Sequence, residues 1–139
     1  MNENHIFVDT NVLVGAFSGR ETDRNCLDYL TSLKGKRLFV SALSMAQLVS
    51  VFQKKKDNAE IRSIVEWVMA KRFNIISFTE ADLRESLKET GADIEDNIQH
   101  VIGKKLKCMI FVTNNVKDFR RFPDIDVIRP DSIRASVNK

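Results

Sequence analysis

The sequence predicts an α/β domain built on a parallel sheet, and three observations lead there. Short apolar runs rich in β-branched and aromatic residues alternate with longer amphipathic segments, the pattern of successive strand–helix–strand units. The chain has 139 residues, 43% of them hydrophobic, which suits one domain with a buried core. Polar residues gather just after the apolar runs, at Asp9-Thr10-Asn11, Ser41 and Thr113-Asn114-Asn115, where an open parallel sheet presents the carboxyl ends of its strands to ligands. A single domain over residues 1–139 is expected, with no internal repeat, low-complexity stretch or linker.

Strands are expected at 6–9, 38–41, 74–77 and 109–112, with a weaker one at 126–128. Between them, Cys26, Leu27, Leu30 and Leu33 carry a helical apolar spacing, and Gly35 follows as a stop. Ser41 or Ser44 is placed to cap the next helix, which carries Leu48, Val49, Val51 and Phe52. Ile61, Ile64, Val65, Val68 and Met69 form the apolar stripe of a third helix, read as core scaffold. Thr79 followed by Asp82 resembles a capping box opening a short helix through Leu83 and Leu87, which Gly91 ends. Asp93 then caps a helix with Ile94, Ile98, Val101, Ile102 and Leu106 on one face. Pro123 and Pro130 fall in loops or at a helix start.

The formal charge of +3 does not by itself announce a nucleic-acid binder. Clusters at Lys54-Lys55-Lys56, at Lys104, Lys105 and Lys107, and at Arg120-Arg121 read as solvated helix faces that are compatible with phosphate contacts. Cys26 and Cys108 lie in no metal-ligand spacing and read as reduced core residues. No signal-peptide succession is present, and no apolar run approaches the roughly 18 residues that span a bilayer, so a soluble cytoplasmic protein without a membrane partner is expected. His5 and His100 form no Ser-His-Asp or Cys-His assembly, and His100 reads as a surface or packing residue. The five glycines are scattered singly, which disfavours dinucleotide and P-loop chemistry.

The acids carry the remaining chemistry. Asp9 closes an apolar run and so puts a carboxylate at the sheet edge, either for function or as an Asx turn or helix cap. Asp96 lies in a first helical turn opposite the apolar stripe, where the helix dipole favours a carboxylate whatever its role. Asp118, in Lys117-Asp118-Phe119, reads as a loop acid when taken alone. Together, carboxylates converging with Asn and Thr oxygens and no Cys or His cluster suit a hard cation such as Mg²⁺ or Mn²⁺. Such an ion polarises a phosphoryl oxygen, acidifies bound water and orients in-line attack on a phosphodiester.

Four stretches in order, Phe7-Val8-Asp9-Thr10-Asn11-Val12-Leu13, Ser41-Ala42-Leu43-Ser44, Asp93-Ile94-Glu95-Asp96-Asn97-Ile98-Gln99 and Val112-Thr113-Asn114-Asn115-Val116-Lys117-Asp118-Phe119, resemble the successive motifs of PIN domains. The likeness runs almost end to end, closing with Val127-Ile128-Arg129-Pro130-Asp131, and is nearest to the VapC-like toxins of bacterial toxin–antitoxin pairs. The resemblance implies a three-layer α/β/α domain with a four- to five-stranded parallel sheet in the order 3-2-1-4-5. It also implies metal-dependent ribonuclease activity with Mg²⁺ or Mn²⁺, an RNA substrate, a homodimer and an antitoxin partner. By motif, Asp9, Asp96 and Asp118 match the metal-binding and catalytic acids; Asn11, Thr113 and Asn115 match supporting polar residues, and Asp93 and Glu95 rank second.

The chain departs from that pattern at two places. Many PIN nucleases carry a glutamate on the helix after the second strand, where residues 43–49 offer no acid and Gln47 stands near the position. Asn115 stands where the strand-four motif often has an acid, leaving Asp118 to supply charge. Two readings follow: an active metal-dependent endoribonuclease, and a catalytically weak PIN domain that binds RNA or protein without turnover. An aspartate-based phosphotransfer domain is disfavoured, because Asn11 and His5 do not supply the second acid it needs.

Overall fold

The computed structural model describes residues 2–90 and 93–137. Five strands, β1 (Asn2–Val8), β2 (Arg37–Ser41), β3 (Phe73–Ile76), β4 (Cys108–Val112) and β5 (Asp126–Ile128), form one sheet in the order β3-β2-β1-β4-β5. Every pairing is parallel. The fold is therefore the three-layer α/β/α arrangement with the expected strand order. The order reverses at β1, so the carboxyl ends of β1, β2 and β4 flank a crevice, the topological switch point of such sheets.

The helices are α1 (Thr10–Phe17), α2 (Glu21–Ser32), α3 (Ala42–Phe52), α4 (Asn58–Ala70), α5 (Glu80–Lys88), α6 (Ile94–Lys105), α7 (Val116–Phe119) and α8 (Ile133–Val137). A 3-10 turn at Pro130–Ser132 precedes α8, with Pro130 at its first position. On one face of the sheet, Ile6, Val8, Leu38, Val40, Ile110 and Val112 pack against α1 to α4 and α8. On the other, Phe7, Phe39 and Phe111 meet Ile98 and Ile102 of α6 together with Phe119 and Phe122. Both faces of the central strands are thus buried, which is why those runs read as continuous apolar stretches rather than alternating ones. α6 lies very close to the sheet: a methyl group on Gly103 would reach the Phe111 ring at 2.1 Å. Any larger residue at Gly103 pushes this helix, and whatever it carries, away from β4.

The capping signals appear as local chemistry predicts. Ser41 caps α3 by accepting from Ser44 N, Thr79 and Asp82 form a reciprocal capping box on α5, and Asp93 caps α6 by accepting from Asp96 N. Gly91, expected to end α5, lies outside the described residues. The strand expected at 6–9 begins four residues earlier, because the polar segment before it pairs with β2 and β4, His5 opposite Arg37 and Asn2 opposite Cys108. Asp9 is the residue after the strand, and α1, which follows it at once, was not anticipated.

The apolar stripes need correction at their edges. Met69 is 62% exposed although it extends the α4 stripe, and Leu83, Leu87 and Ile94 are exposed as well. The described residues leave these side chains largely uncovered. Cys26 and Cys108 are free and buried, and burial pushes both thiols up to about 12, consistent with inert core residues. Among the described residues no helix is long and apolar enough to cross a membrane.

Candidate functional site

The site grows from the end of β1. Asp9 N donates to Val112 O at 3.0 Å, extending the β1–β4 ladder by one residue and holding Asp9 against the end of β4. Its carboxylate does two things at once. Oδ1 accepts from Thr10 N at 2.8 Å and caps α1, while Oδ2 accepts from Thr113 Oγ1 at 2.8 Å and from Asn11 Nδ2 at 3.2 Å. The cap and the site acid are therefore the same residue. Burial raises the Asp9 carboxyl above its ordinary value, the Thr113 and Thr10 hydrogen bonds pull the other way, and the charges of Asp93 and Glu95 add to the rise.

Thr113 is the hinge of this arrangement. Its backbone N–H bonds Ile128 O at 3.0 Å, fixing it to β5, and its hydroxyl oxygen receives Asn11 Nδ2 at 3.2 Å and Asn115 N at 2.9 Å. Asn114 N donates to Asn11 Oδ1 at 3.1 Å, and Asn114 Nδ2 donates to Asp23 Oδ1 at 2.9 Å. Asp23 is fully buried beneath α1; its second oxygen has no hydrogen-bond partner and lies 3.6 Å from Arg20. Burial raises its carboxyl. The space it occupies exists because residue 15 is glycine, since a Cβ there would stand 1.8 Å from Asp23 Oδ2.

The opposite wall comes from α6. Asp96 is 8% exposed, far more buried than its position opposite the apolar stripe suggested, because that face of α6 turns towards the end of β1 rather than towards solvent. Its Oδ2 has no hydrogen-bond partner. Burial first, then the charges of Asp93, Asp9 and Asp118, push the Asp96 carboxyl up to about 7, with Arg121 only partly offsetting them. Thr10 hydroxyl meets Gln47 Oε1 at 2.6 Å, and the Gln47 amide donates to the Glu95 carboxylate. Gln47 thereby tethers Glu95 beside the position where α3 has no acid of its own.

These residues line a cleft of about 480 Å³, among them Asp9, Thr10, Gln47, Glu95, Asp96 and Gln99, and Asn11, Asp93 and Asn115 line it too. A neighbouring hollow contains Asp118 with Asp93, Glu95, Asp96, Lys117 and Arg121. The structure thus brings Asp9, Asp96, Asp93, Glu95 and Gln47 around one cleft, whereas Asp118 is exposed on α7 in the adjoining hollow and reaches Asp96 through its charge. Among the described residues no three acid, histidine or cysteine groups stand together as a ready cage for one ion. The donors are all oxygens, Arg121 offsets the charge at Asp96 only in part, and one buried carboxylate oxygen lacks a partner. That combination fits a hard divalent cation held by few protein ligands and several waters, as Mg²⁺ prefers.

His100 stands apart from the cleft. It is buried, stacked on Phe122 with ring centroids 3.8 Å apart, and its nitrogens lie 2.8 Å from Glu89 Oε2 and Asp124 Oδ1. It is a packing residue that ties α5 and α6 to the loop before β5. Sequence reasoning took Thr10 only as one of the polar groups at a strand end and did not single out Ser44, Gln99 or Asp23 as site residues. A signal for Gln99 was present, since it lies three residues beyond Asp96 and hence on the same helical face.

Comparison with known proteins agrees with this geometry. Residues 6–125 match the model of the PIN domain family. The chain is 29% identical over 139 residues to Ribonuclease VapC1 of Aquifex aeolicus (strain VF5), covering 92% of each chain. Its fold is similar to VapBC2 from Rickettsia felis bound to a DNA fragment from their promoter, with a TM-score of 0.69 and 20% identity over 90% of this chain and 98% of that one. A toxin-antitoxin complex from Klebsiella pneumoniae is similar to the same degree, with a TM-score of 0.69 and 21% identity over 90% and 97% of the two chains. With the family model spanning 6–125 and the sheet order 3-2-1-4-5, the chain belongs to the PIN domain family.

Proposed function

We propose that this chain is a VapC-like toxin, an endoribonuclease that uses Mg²⁺ or Mn²⁺ to hydrolyse RNA phosphodiester bonds. The observation that carries the reading is the crowding at Asp96: a buried carboxylate with an unpartnered oxygen, raised to about 7 by burial and by three other acids. Arg121 offsets this charge only in part, and a divalent cation would neutralise the remainder. In this reading Asp9 and Asp96 hold the ion, Asp118 adds negative charge from the adjoining hollow, and Asp93 and Glu95 contribute behind them. Asn11 and Thr113 lock the Asp9 carboxylate in one orientation, Asn115 braces Thr113, and Gln47 keeps Glu95 at the cleft. When bound, the ion supplies Lewis-acid polarisation of the phosphoryl oxygen and an acidified water. Lys117, beside the acids, is positioned to meet a backbone phosphate.

The relative from Aquifex aeolicus, named as a ribonuclease, supports the reaction class, and the toxin-antitoxin complex supports an antitoxin partner. A homodimer in the cytoplasm completes the proposal. The second reading, a PIN domain that binds RNA or protein without turnover, is motivated by Gln47 and Asn115. The Gln47–Glu95 bond weighs against it, because the charge absent from α3 is delivered from α6. The test is a mixed RNA pool incubated with purified protein in Mn²⁺, in Mg²⁺ and in EDTA. Multiple-turnover cleavage with either ion and none in EDTA is expected; equal cleavage in EDTA refutes the metal mechanism, and RNA binding without turnover supports the second reading.

A further inference from the structure

Asp23 is an acid that the packing of α2 against α1 does not need. It is fully buried in the first turn of α2, and a Cβ at residue 15 of α1 would stand 1.8 Å from its Oδ2. That oxygen has no hydrogen-bond partner and lies 3.6 Å from Arg20 Nη1. A buried carboxylate so sparsely partnered costs free energy that an apolar side chain of similar size does not. What the carboxylate supplies, and an apolar group cannot, is an acceptor: Oδ1 receives Asn114 Nδ2 at 2.9 Å. From Asn114 the bonds run back to the cleft in a fixed sense. Asn114 N, a backbone donor, gives to Asn11 Oδ1 at 3.1 Å, so the Asn11 amide turns its Nδ2 the other way. There Nδ2 reaches Asp9 Oδ2 and Thr113 Oγ1, each at 3.2 Å.

Residue 114 thus orients Asn11 on Asp9, and the bond to Asp23 ties residue 114 to α2. Asp23 also lies hard against α1, the helix that Asp9 caps, so it joins the two segments that set the Asp9 carboxylate. We propose that Asp23 is a positioning residue of the ion site: acting through Asn114 and Asn11, it holds the Asp9 carboxylate in its ion-binding orientation from outside the cleft. The inference rests on the metal-dependent reading above and extends it to a buried acid that does not line the cleft. Groups that hold a metal ligand from behind change ion affinity by about 10- to 100-fold when removed.

The experiment titrates the protein with Mn²⁺, following free Mn²⁺ by electron paramagnetic resonance and folding by circular dichroism. NMR of the ion-free protein records the Asn11 side-chain amide. Asp23→Ala is expected to bind Mn²⁺ about 10-fold more weakly, the lower end of that range, and to shift the Asn11 amide resonances. A loss of stability alone moves neither readout in the folded protein. Asn114→Ala is expected to behave alike, and the double variant to bind no more weakly than the weaker single, because both act along one path. If Asp23→Ala does not fold, Asp23→Val, which refills part of the space without an acceptor, takes its place. Unmoved Asn11 resonances, unchanged Mn²⁺ affinity in the folded variant, or losses that add in the double variant each overturn the role of Asp23 while leaving the metal reading standing. Absence of Mn²⁺ binding by the unaltered protein overturns both.

Discussion

Asp9 and Asp96 are equally buried aspartates on opposite sides of one cleft, each 8% exposed, and they are held in opposite ways. Asp9 receives Thr10 N, Thr113 Oγ1 and Asn11 Nδ2, so the protein satisfies it before anything binds. Asp96 has an oxygen without a donor and three acids pressing on it. The difference teaches how labour is divided within the cleft. The β1 side is preorganised by hydrogen bonds and fixes geometry, whereas the α6 side crowds acids whose charge Arg121 offsets only in part. Asp23 shows that burial alone does not make such a site: it too has an unpartnered oxygen, but Arg20 and Asn114 face it, and no other acid is among the causes of its shift.

The largest effect is expected on the preorganised side. Asp9→Asn keeps the shape of the helix cap and removes the charge, and RNA cleavage should fall by on the order of 10³-fold, measured as kcat/KM in Mn²⁺. A variant that retains full activity would remove Asp9 from the ion site.

On the charged side the sign reverses. The Asp96 carboxyl rises from 3.8 to about 7 on folding, so between those values the folded protein keeps a proton that the unfolded chain has released. Stability of the ion-free protein should therefore fall as pH rises from about 4 to about 7 and level off above. Asp96→Asn should flatten that slope and raise the ion-free Tm at pH 8, while abolishing the stabilisation that Mn²⁺ gives the unaltered protein. Thermal unfolding in EDTA and in Mn²⁺ reads both arms; a variant less stable than its parent in EDTA at pH 8 would show that Asp96 is not under electrostatic strain.

Smaller effects sharpen the contrast. Thr113→Val leaves Asp9 Oδ2 without its hydroxyl donor and Asn115 N without its acceptor, and should cost about 1–3 kcal/mol of stability in denaturant titration, with weaker Mn²⁺ binding. Gly15→Ala drives a methyl group into Asp23 Oδ2 and should cost about 1–3 kcal/mol, and Asp23→Ala in the same chain should recover part of the loss. If Gly15→Ala is neutral, Asp23 has room to move and does not brace Asn114.

The fold was readable because its signals are local. Apolar runs located all five strands, and Ser41, Thr79, Asp82 and Asp93 announced their caps in the order of the chain. α1 was hidden because Val12, Leu13, Val14, Ala16 and Phe17 continue the apolar run of β1 without a helical stripe, and only the Asp9 cap separates the two. The end of β1 was hidden for the opposite reason, since Asn2 to His5 are polar and are held by strand pairing. Asp9 stood out because a strand end projects it, whereas the supporting roles of Asn11, Thr113 and Asn115 came from the resemblance to PIN-domain motifs. Gln99, Ser44 and Asp23 did not stand out. Their contacts join residues 55 apart in Gln99–Ser44 and 91 apart in Asn114–Asp23, distances over which no spacing rule operates. The Gln47–Glu95 bond, spanning 48 residues, could not be read from either helix alone.

The most direct test of this division is to locate the cation. Crystals grown with Mn²⁺ and measured at a wavelength where manganese scatters anomalously should show a peak in the cleft between Asp9 and Asp96. An active, Mn²⁺-loaded crystal with no peak in that cleft, or with its peak elsewhere on the chain, would contradict it.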